Sequence, residues 1–208
     1  MVLNGVESLR DFCAELSSSS PSPGGGTASA AAGAMSASLL AMVCSVTAKS
    51  RKSEEQRPEL DMLTDSLLTL RDELVDLAQE DARAYDGLVE AMRRKRAEGT
   101  PDAVEAVKTA LGEATEVPQK TARACARILE MATRVGEIGT KNAYSDVAVA
   151  VYLAEAGVTG ALMNVLINIE GSTDSEQADS MRMDVQDQYE RAGRAAKEAL
   201  DRLSGALR

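Results

Sequence analysis

Asp81 stands where the chain asks for a leucine. Leu60, Leu63, Leu67, Leu70, Leu74 and Leu77 recur at alternating spacings of three and four, the seam of a helix packed along its length. The next seam positions are Asp81, Ala84 and Leu88. A carboxylate on a packing seam is costly unless a partner satisfies it, or its pKa rises until it takes up a proton. The bland alternative is an exposed helix end or a rotated face at that point. Tyr85 follows one turn later on the same face. A second carboxylate, Asp146, opens a stretch whose one face reads Asp146, Ala150, Leu153, Gly157, Gly160, Asn164 and Asn168. Alone, Asp146 also reads as a charge favoured by a helix N-terminus. Asn164 and Asn168, one turn apart among apolar residues, need hydrogen-bond partners if buried. The chain contains no His. That removes a His base, a His metal ligand and every Ser-His or Cys-His nucleophile, so proton transfer falls to Asp, Glu, Lys, Tyr or Cys.

Pro21-Ser22-Pro23-Gly24-Gly25-Gly26-Thr27 is the second chemical signal. A glycine loop opening a helix presents free backbone N–H groups to a carboxylate or phosphate. A flexible linker ahead of an ordinary helix fits the loop as well. It is not a Walker A loop, because no Gly-Lys-Ser/Thr follows. Arg93-Arg94-Lys95-Arg96 concentrates positive charge. It reads as a solvated helix end favoured by the C-terminal dipole, or as a landing site for an anionic ligand tail.

The elements that must position these residues are helical. The 208 residues suit one domain, 1–208, and 44% of them are hydrophobic while only 2% are aromatic. A core of Ala, Leu, Val and Met favours close-packed helices, and no alternating β-branched runs bounded by turns stand against that. The net charge of −10, the absence of Trp and a single Phe, Phe12, argue against nucleic acid as a partner. Cys13, Cys44 and Cys125 are few and far apart. They read as small buried hydrophobes in a reducing, cytoplasmic compartment, and the N-terminus lacks the pattern of a signal peptide. Ala28–Ala48 carries no charge, yet its Ser, Gly and Thr content suits a helix buried on most sides better than one in lipid.

Along the chain, Asn4 with Glu7 resembles a capping box ahead of an apolar stripe at Val6, Leu9, Phe12, Cys13 and Leu16. A small-residue helix runs to about Ser50, packed centrally or across a dimer axis. Pro58 starts a long helix ending near Gly99. Thr100-Pro101-Asp102 caps the next, which Pro118 should kink or interrupt. Its stripe continues through Val117, Thr121, Cys125, Ile128, Ala132 and Val135, and Gly136 and Gly139 end it. Asn142 can cap the following helix, and Thr173 with Glu176 the last, to about Leu203. The reading is all-α: a bundle of five to seven long helices, expected as a homodimer.

Pro21-Ser-Pro-Gly-Gly-Gly-Thr27, Asp81-Ala-Arg-Ala-Tyr85, Glu116-Val-Pro118, Lys141-Asn-Ala-Tyr-Ser-Asp146 and Asn164-Val-Leu-Ile-Asn168 together resemble the cyclodeaminase/cyclohydrolase family of folate enzymes. The resemblance spans most of the chain in order. It implies an all-α homodimer with folate held between helices, no metal and no redox cofactor. It implies hydrolysis of 5,10-methenyltetrahydrofolate to 10-formyltetrahydrofolate, cyclodeamination of 5-formiminotetrahydrofolate with release of ammonia, or both. Each passes through a tetrahedral carbon between N5 and N10. Asp81 and Asp146 are then the natural acid–base pair, with the assignment of roles open, and Lys141, Tyr85 and Tyr144 could assist. Pro23, Gly24, Gly25, Gly26, Asn142, Tyr144 and Ser145 would bind substrate, and Asn164 and Asn168 would orient the pterin amide edge. The lack of a formiminotransferase segment leans toward the cyclohydrolase. The competing class is a non-catalytic helical dimer acting as scaffold or binding module. Such a protein has no reason to put carboxylates on packing faces.

Overall fold

A computed structural model describes residues 9–170 and 175–206. The expected caps at Asn4/Glu7 and at Thr173 lie outside them, as does Val6. Six helices follow one another: α1 (Leu9–Leu16), α2 (Gly25–Ala48), α3 (Arg57–Glu98), α4 (Pro101–Ile138), α5 (Tyr144–Glu170) and α6 (Ser175–Ala206). Short 3-10 turns occupy Arg51–Ser53 and Lys141–Ala143, and no strand occurs among the described residues. The chain is all-α, as its periodicity requires.

The small residues of α2 put it at the centre, against α3, α4 and α5. Ala30, Ala34, Ala37 and Ala41 are buried along it. A Cβ on Gly33 would clash with Cys125 Sγ and lie 2.9 Å from Leu74 Cδ1, so only glycine lets α3 and α4 approach this closely. Both α3 and α5 run antiparallel to α2. Thr27 meets Asp81 and Gly33 meets Leu74 on one side. On the other, Gly25 meets Asn164 and the Ser36 hydroxyl donates to Ala150 O at 2.6 Å. The leucine seam behaves as its spacing predicts: Leu60, Leu67, Leu70, Leu74 and Leu77 are buried and Leu63 is half-buried. The helix ends on Gly99 in the left-handed region, φ 64°.

Pro118 does not interrupt α4, which runs unbroken from Thr100, whose Oγ1 accepts from Ala103 N–H, to Ile138. A helical proline removes the N–H that would bond the carbonyl four residues back, here Ala114 O. Asn168 on α5 replaces it: its Nδ2 donates to Ala114 O at 2.6 Å. Two other expectations fail locally. Asn142 does not head α5; it lies inside the 3-10 turn, and α5 begins at Tyr144. Cys13 is exposed, because α1 buries only Phe12, whereas Cys44 and Cys125 are buried. Burial pushes those two thiols up to about 11 and about 12.

The outer faces of α2 and α5 lie side by side and carry almost no charge. On α2 the exposed large residues are Met35, Met42 and Val46; on α5 they are Val149, Tyr152, Met163 and Ile167. By length and composition, Gly25–Ala48 and Lys141–Glu170 are apolar enough to cross a membrane. Packing against α3, α4 and α6 accounts for their buried positions.

Candidate active site

The glycine run becomes the first turn of α2 rather than a loop. Gly24 is the cap residue, with no side-chain cap bond, and Gly25 and Gly26 are already helical. Pro23, buried, follows a cis peptide bond. The first N–H groups of a helix have no partner within it. Asp81 meets this helix end from α3. Thr27 Oγ1 donates to Asp81 Oδ2 at 2.8 Å, and the Thr27 backbone N–H donates to the same carboxylate. A Cβ on Gly26 would lie 2.6 Å from Asp81 Cγ, so the carboxylate fills the space that any other residue would occupy.

Two effects oppose each other at Asp81. Burial raises its pKa, while the two Thr27 hydrogen bonds and the positive helix end favour the anion. Burial wins, and the pKa stands above the ordinary carboxylate value. A carboxylate serving only as a helix cap would shift the other way. Asp81 is therefore an acid able to hold and release a proton, beside unused backbone N–H groups.

Asn164 closes the other side of the helix end. A Cβ placed on Gly25 would meet Asn164 Nδ2 at 3.5 Å. That Nδ2 donates to Gly160 O at 2.8 Å, which leaves Oδ1 as an acceptor for a ligand. Asn168 lies one turn further, with its N–H committed to Ala114 O. Tyr85, 40% exposed, stands one turn beyond Asp81 on α3. Thr27 escaped the sequence-based selection of site residues. Its partner lies 54 residues away, and no local signal marks such a pair.

The remaining candidates occupy the other end of α2 and α5. Lys141, Asn142 and Ser145 are exposed, Tyr144 is buried and Asp146 is half-buried. The Thr140 N–H donates to Thr47 Oγ1 at 3.0 Å, tying the turn before α5 to the end of α2. Asp146 lies about 27 Å from Asn164 along α5 at the α-helical rise of 1.5 Å per residue. One chain thus brings together Asp81, Thr27, Gly25, Gly26 and Asn164, and keeps Asp146 and Lys141 apart from them. The basic run is solvated: Arg93 pairs with Glu90 and Arg94 with Glu98, all four exposed.

Residues 8–187 match the formiminotransferase-cyclodeaminase family. The chain belongs to that family. It is 34% identical over 191 residues to a methenyltetrahydrofolate cyclohydrolase of Methylorubrum extorquens, covering 91% of this chain and 92% of that one. Against the formimidoyltransferase-cyclodeaminase of Mus musculus it is 32% identical over 171 residues, 80% of this chain and 31% of that protein. The Sus scrofa protein gives 32% over 199 residues, 94% and 36%. The chain thus spans nearly all of the bacterial relative and about a third of the animal ones. A formiminotetrahydrofolate cyclodeaminase structure from Thermotoga maritima superposes with a TM-score of 0.86 at 27% identity, covering 97% of this chain and 98% of that one. In this chain the Pro21–Thr27 run and Asp81 form one contact, and Asn168 forms another with Ala114 O, the carbonyl that Pro118 leaves without a helical donor.

Proposed function

We propose that the protein is a folate one-carbon enzyme acting at the N5/N10 bridge, hydrolysing 5,10-methenyltetrahydrofolate to 10-formyltetrahydrofolate, cyclising 5-formiminotetrahydrofolate with release of ammonia, or both. The observation that carries this is Asp81: a half-buried carboxylate with raised pKa, held against the free end of α2. Likeness over almost the full length of a methenyltetrahydrofolate cyclohydrolase, and of a formiminotetrahydrofolate cyclodeaminase structure, supports the substrate class.

In hydrolysis, water adds to the cationic methenyl carbon, a C–O bond forms, and the bond from that carbon to N5 breaks. Asp81 takes a proton from the adding water and returns one to N5; the reaction releases one proton overall. In cyclodeamination, N10 adds to the formimino carbon and the bond to the imino nitrogen breaks. The same carboxyl group takes the proton that N10 loses and delivers it to the departing nitrogen, which with one further proton from solvent leaves as ammonia. Both reactions share one tetrahedral carbon, so one acid–base group at one place serves either. The N–H groups of Gly25 and Gly26 and the Asn164 Oδ1 supply donors and an acceptor for the pterin edge. The carbon is already activated as an amidinium-type cation, so addition and elimination call for neither redox chemistry nor a metal. The three free cysteines support a reducing, cytoplasmic setting. The uncharged outer faces of α2 and α5 support a homodimer. A scaffold that had merely kept the fold would gain nothing from a desolvated Asp81.

The test follows the methenyltetrahydrofolate absorbance with purified protein, alongside ammonia release from 5-formiminotetrahydrofolate. Acceleration of either above the uncatalysed rate is expected. No acceleration of both rejects the enzyme reading in favour of a binding module.

A further inference from the structure

We propose that Thr27 is a positioning residue for the proton transfer: its side-chain hydroxyl holds one oxygen of Asp81 and turns the other toward the reacting carbon. This rests on the folate reading above and adds a residue to that site.

The first observation is where the hydroxyl goes. Inside a helix, a Ser or Thr hydroxyl can donate back to the carbonyl one turn earlier. Ser38, Thr47, Thr64 and Thr115 all donate to the carbonyl four residues back. Thr27, fully buried, donates instead to Asp81 Oδ2 at 2.8 Å, across 54 residues of chain. Its backbone N–H belongs to the first turn of α2, ahead of the bond from Ala28 N–H to Gly24 O. That N–H goes to the same carboxylate. Thr27 therefore commits both of its donors to one group on another helix.

The second observation is what this leaves free. The terminal torsion of an Asp side chain is broad, so a carboxylate needs an outside tie to keep one orientation. The hydroxyl occupies Oδ2, while Oδ1 lies over Gly26, where a Cβ would clash with it. Oδ1 is then the oxygen that exchanges the proton. An O–H bond of the adding water breaks, an O–H bond to Oδ1 forms, and that proton passes on to N5.

The third observation is that no charged neighbour stands in for the hydroxyl. The helix of Asp81, α3, packs against α2 and α4. From Gly25 to Ala48, α2 carries no charged side chain. On α4, Val117 lies as far beyond Gly99 as Asp81 lies before it, so the two helices meet there at Val117 and Pro118, both buried. Glu116 and Lys120 beside them are accessible and pair with each other at 3.1 Å. On α3 the neighbours at three and four residues are Leu77, Ala78, Ala84 and Tyr85, of which only Tyr85 titrates. Burial and the Thr27 bonds thus oppose each other at Asp81 with little else acting.

The experiment removes the hydroxyl and keeps the shape. Thr27→Val should lower kcat by about 10–100-fold with KM near the parent's, as a misplaced reacting group does. It should also move the acid limb of the kcat/KM profile up by about one to two pH units, the worth of a hydrogen bond to a charged group. The sign follows from the role as base: the hydroxyl favours the anion, so without it Asp81 ionises only at higher pH. Thr27→Ser keeps the hydroxyl and should restore most of kcat and the parental limb. The Asp81 carboxyl carbon, followed by 13C NMR and assigned by its loss in Asp81→Asn, should show the same upward shift with no folate present. A Thr27→Val protein with a lowered Tm but parental kcat, pH limb and Asp81 titration makes the bond a tie between helices and overturns the proposal. Where valine prevents folding, Thr27→Ala carries the same expectations; failure of both to fold assigns the bond to the fold and likewise overturns it. A parent inactive on both folates overturns the folate reading instead, whatever the titration shows, and with it the part of Thr27 in catalysis.

Discussion

At the scale of single residues, the chemistry turns on the contact between Asp81 and the first turn of α2. Removing the proton-transfer group by Asp81→Asn should lower kcat by roughly 10²–10⁴. The same substitution should stabilise the fold at neutral pH. Asp81 has a folded-state pKa raised above its unfolded value, so its contribution is full below the unfolded value and is lost as pH rises through the folded one. The Tm gain of Asp81→Asn should therefore be largest near neutral pH and vanish below about pH 4, each unit of raised pKa being worth about 1.4 kcal/mol. A Tm difference independent of pH would show that Asp81 is not desolvated. The neighbouring glycines should differ. Gly26→Ala drives a Cβ into the Asp81 carboxylate and should cost about 1–3 kcal/mol together with activity, as overpacking does. Gly25→Val meets only the Asn164 amide and open space, so it should raise KM with little change in Tm. Thermal melts and steady-state kinetics on the two variants separate these outcomes.

At the scale of elements, α4 and α5 depend on each other through one carbonyl. Pro118 withholds the N–H that Ala114 O would receive, and Asn168 supplies another from α5. Asn168→Leu leaves that carbonyl unsatisfied beside a buried proline and should cost about 1–3 kcal/mol. In a Pro118→Ala background the helix provides its own donor, and the same change should cost less. Denaturant unfolding of the four proteins gives the coupling, expected at about 0.5–3 kcal/mol. Strict additivity would mean that the bond is incidental.

At the scale of the whole molecule, a surface network ties α3, α4 and α6 together. Arg134 reaches Glu59 with Nε at 2.6 Å and Nη2 at 2.8 Å, and also Glu137, which in turn meets Arg202. These groups are solvent-accessible, so their attraction is screened by salt. Arg134→Met should lower Tm slightly at low ionic strength, and the difference should shrink as salt is raised. A large drop insensitive to salt would point to packing of the arginine stem rather than charge.

Period and composition determined the helices. A leucine repeat of three and four, residues of high helix propensity, and prolines and glycines at their ends act over a few turns, so α3 and α4 and the small-residue character of α2 could be read directly. Asp81 was legible as an anomaly because it breaks that local pattern. Its partner was not: Thr27 lies 54 residues away, and only packing brings the two within 2.8 Å. Local rules also gave Pro118 as a kink or an interruption; the helix is not interrupted, and a side chain from another helix restores the missing bond. Asn142 read as a cap because side-chain type alone does not fix where a helix begins; a 3-10 turn takes that position. The separation of Asp146 from Asp81 belongs to the tertiary structure alone. Both residues sit on inward-reading faces, but distance between faces follows from the antiparallel docking of α2 on α3 and α5. That docking is set by which glycines admit which side chains, a property of helices in contact and not of any one segment.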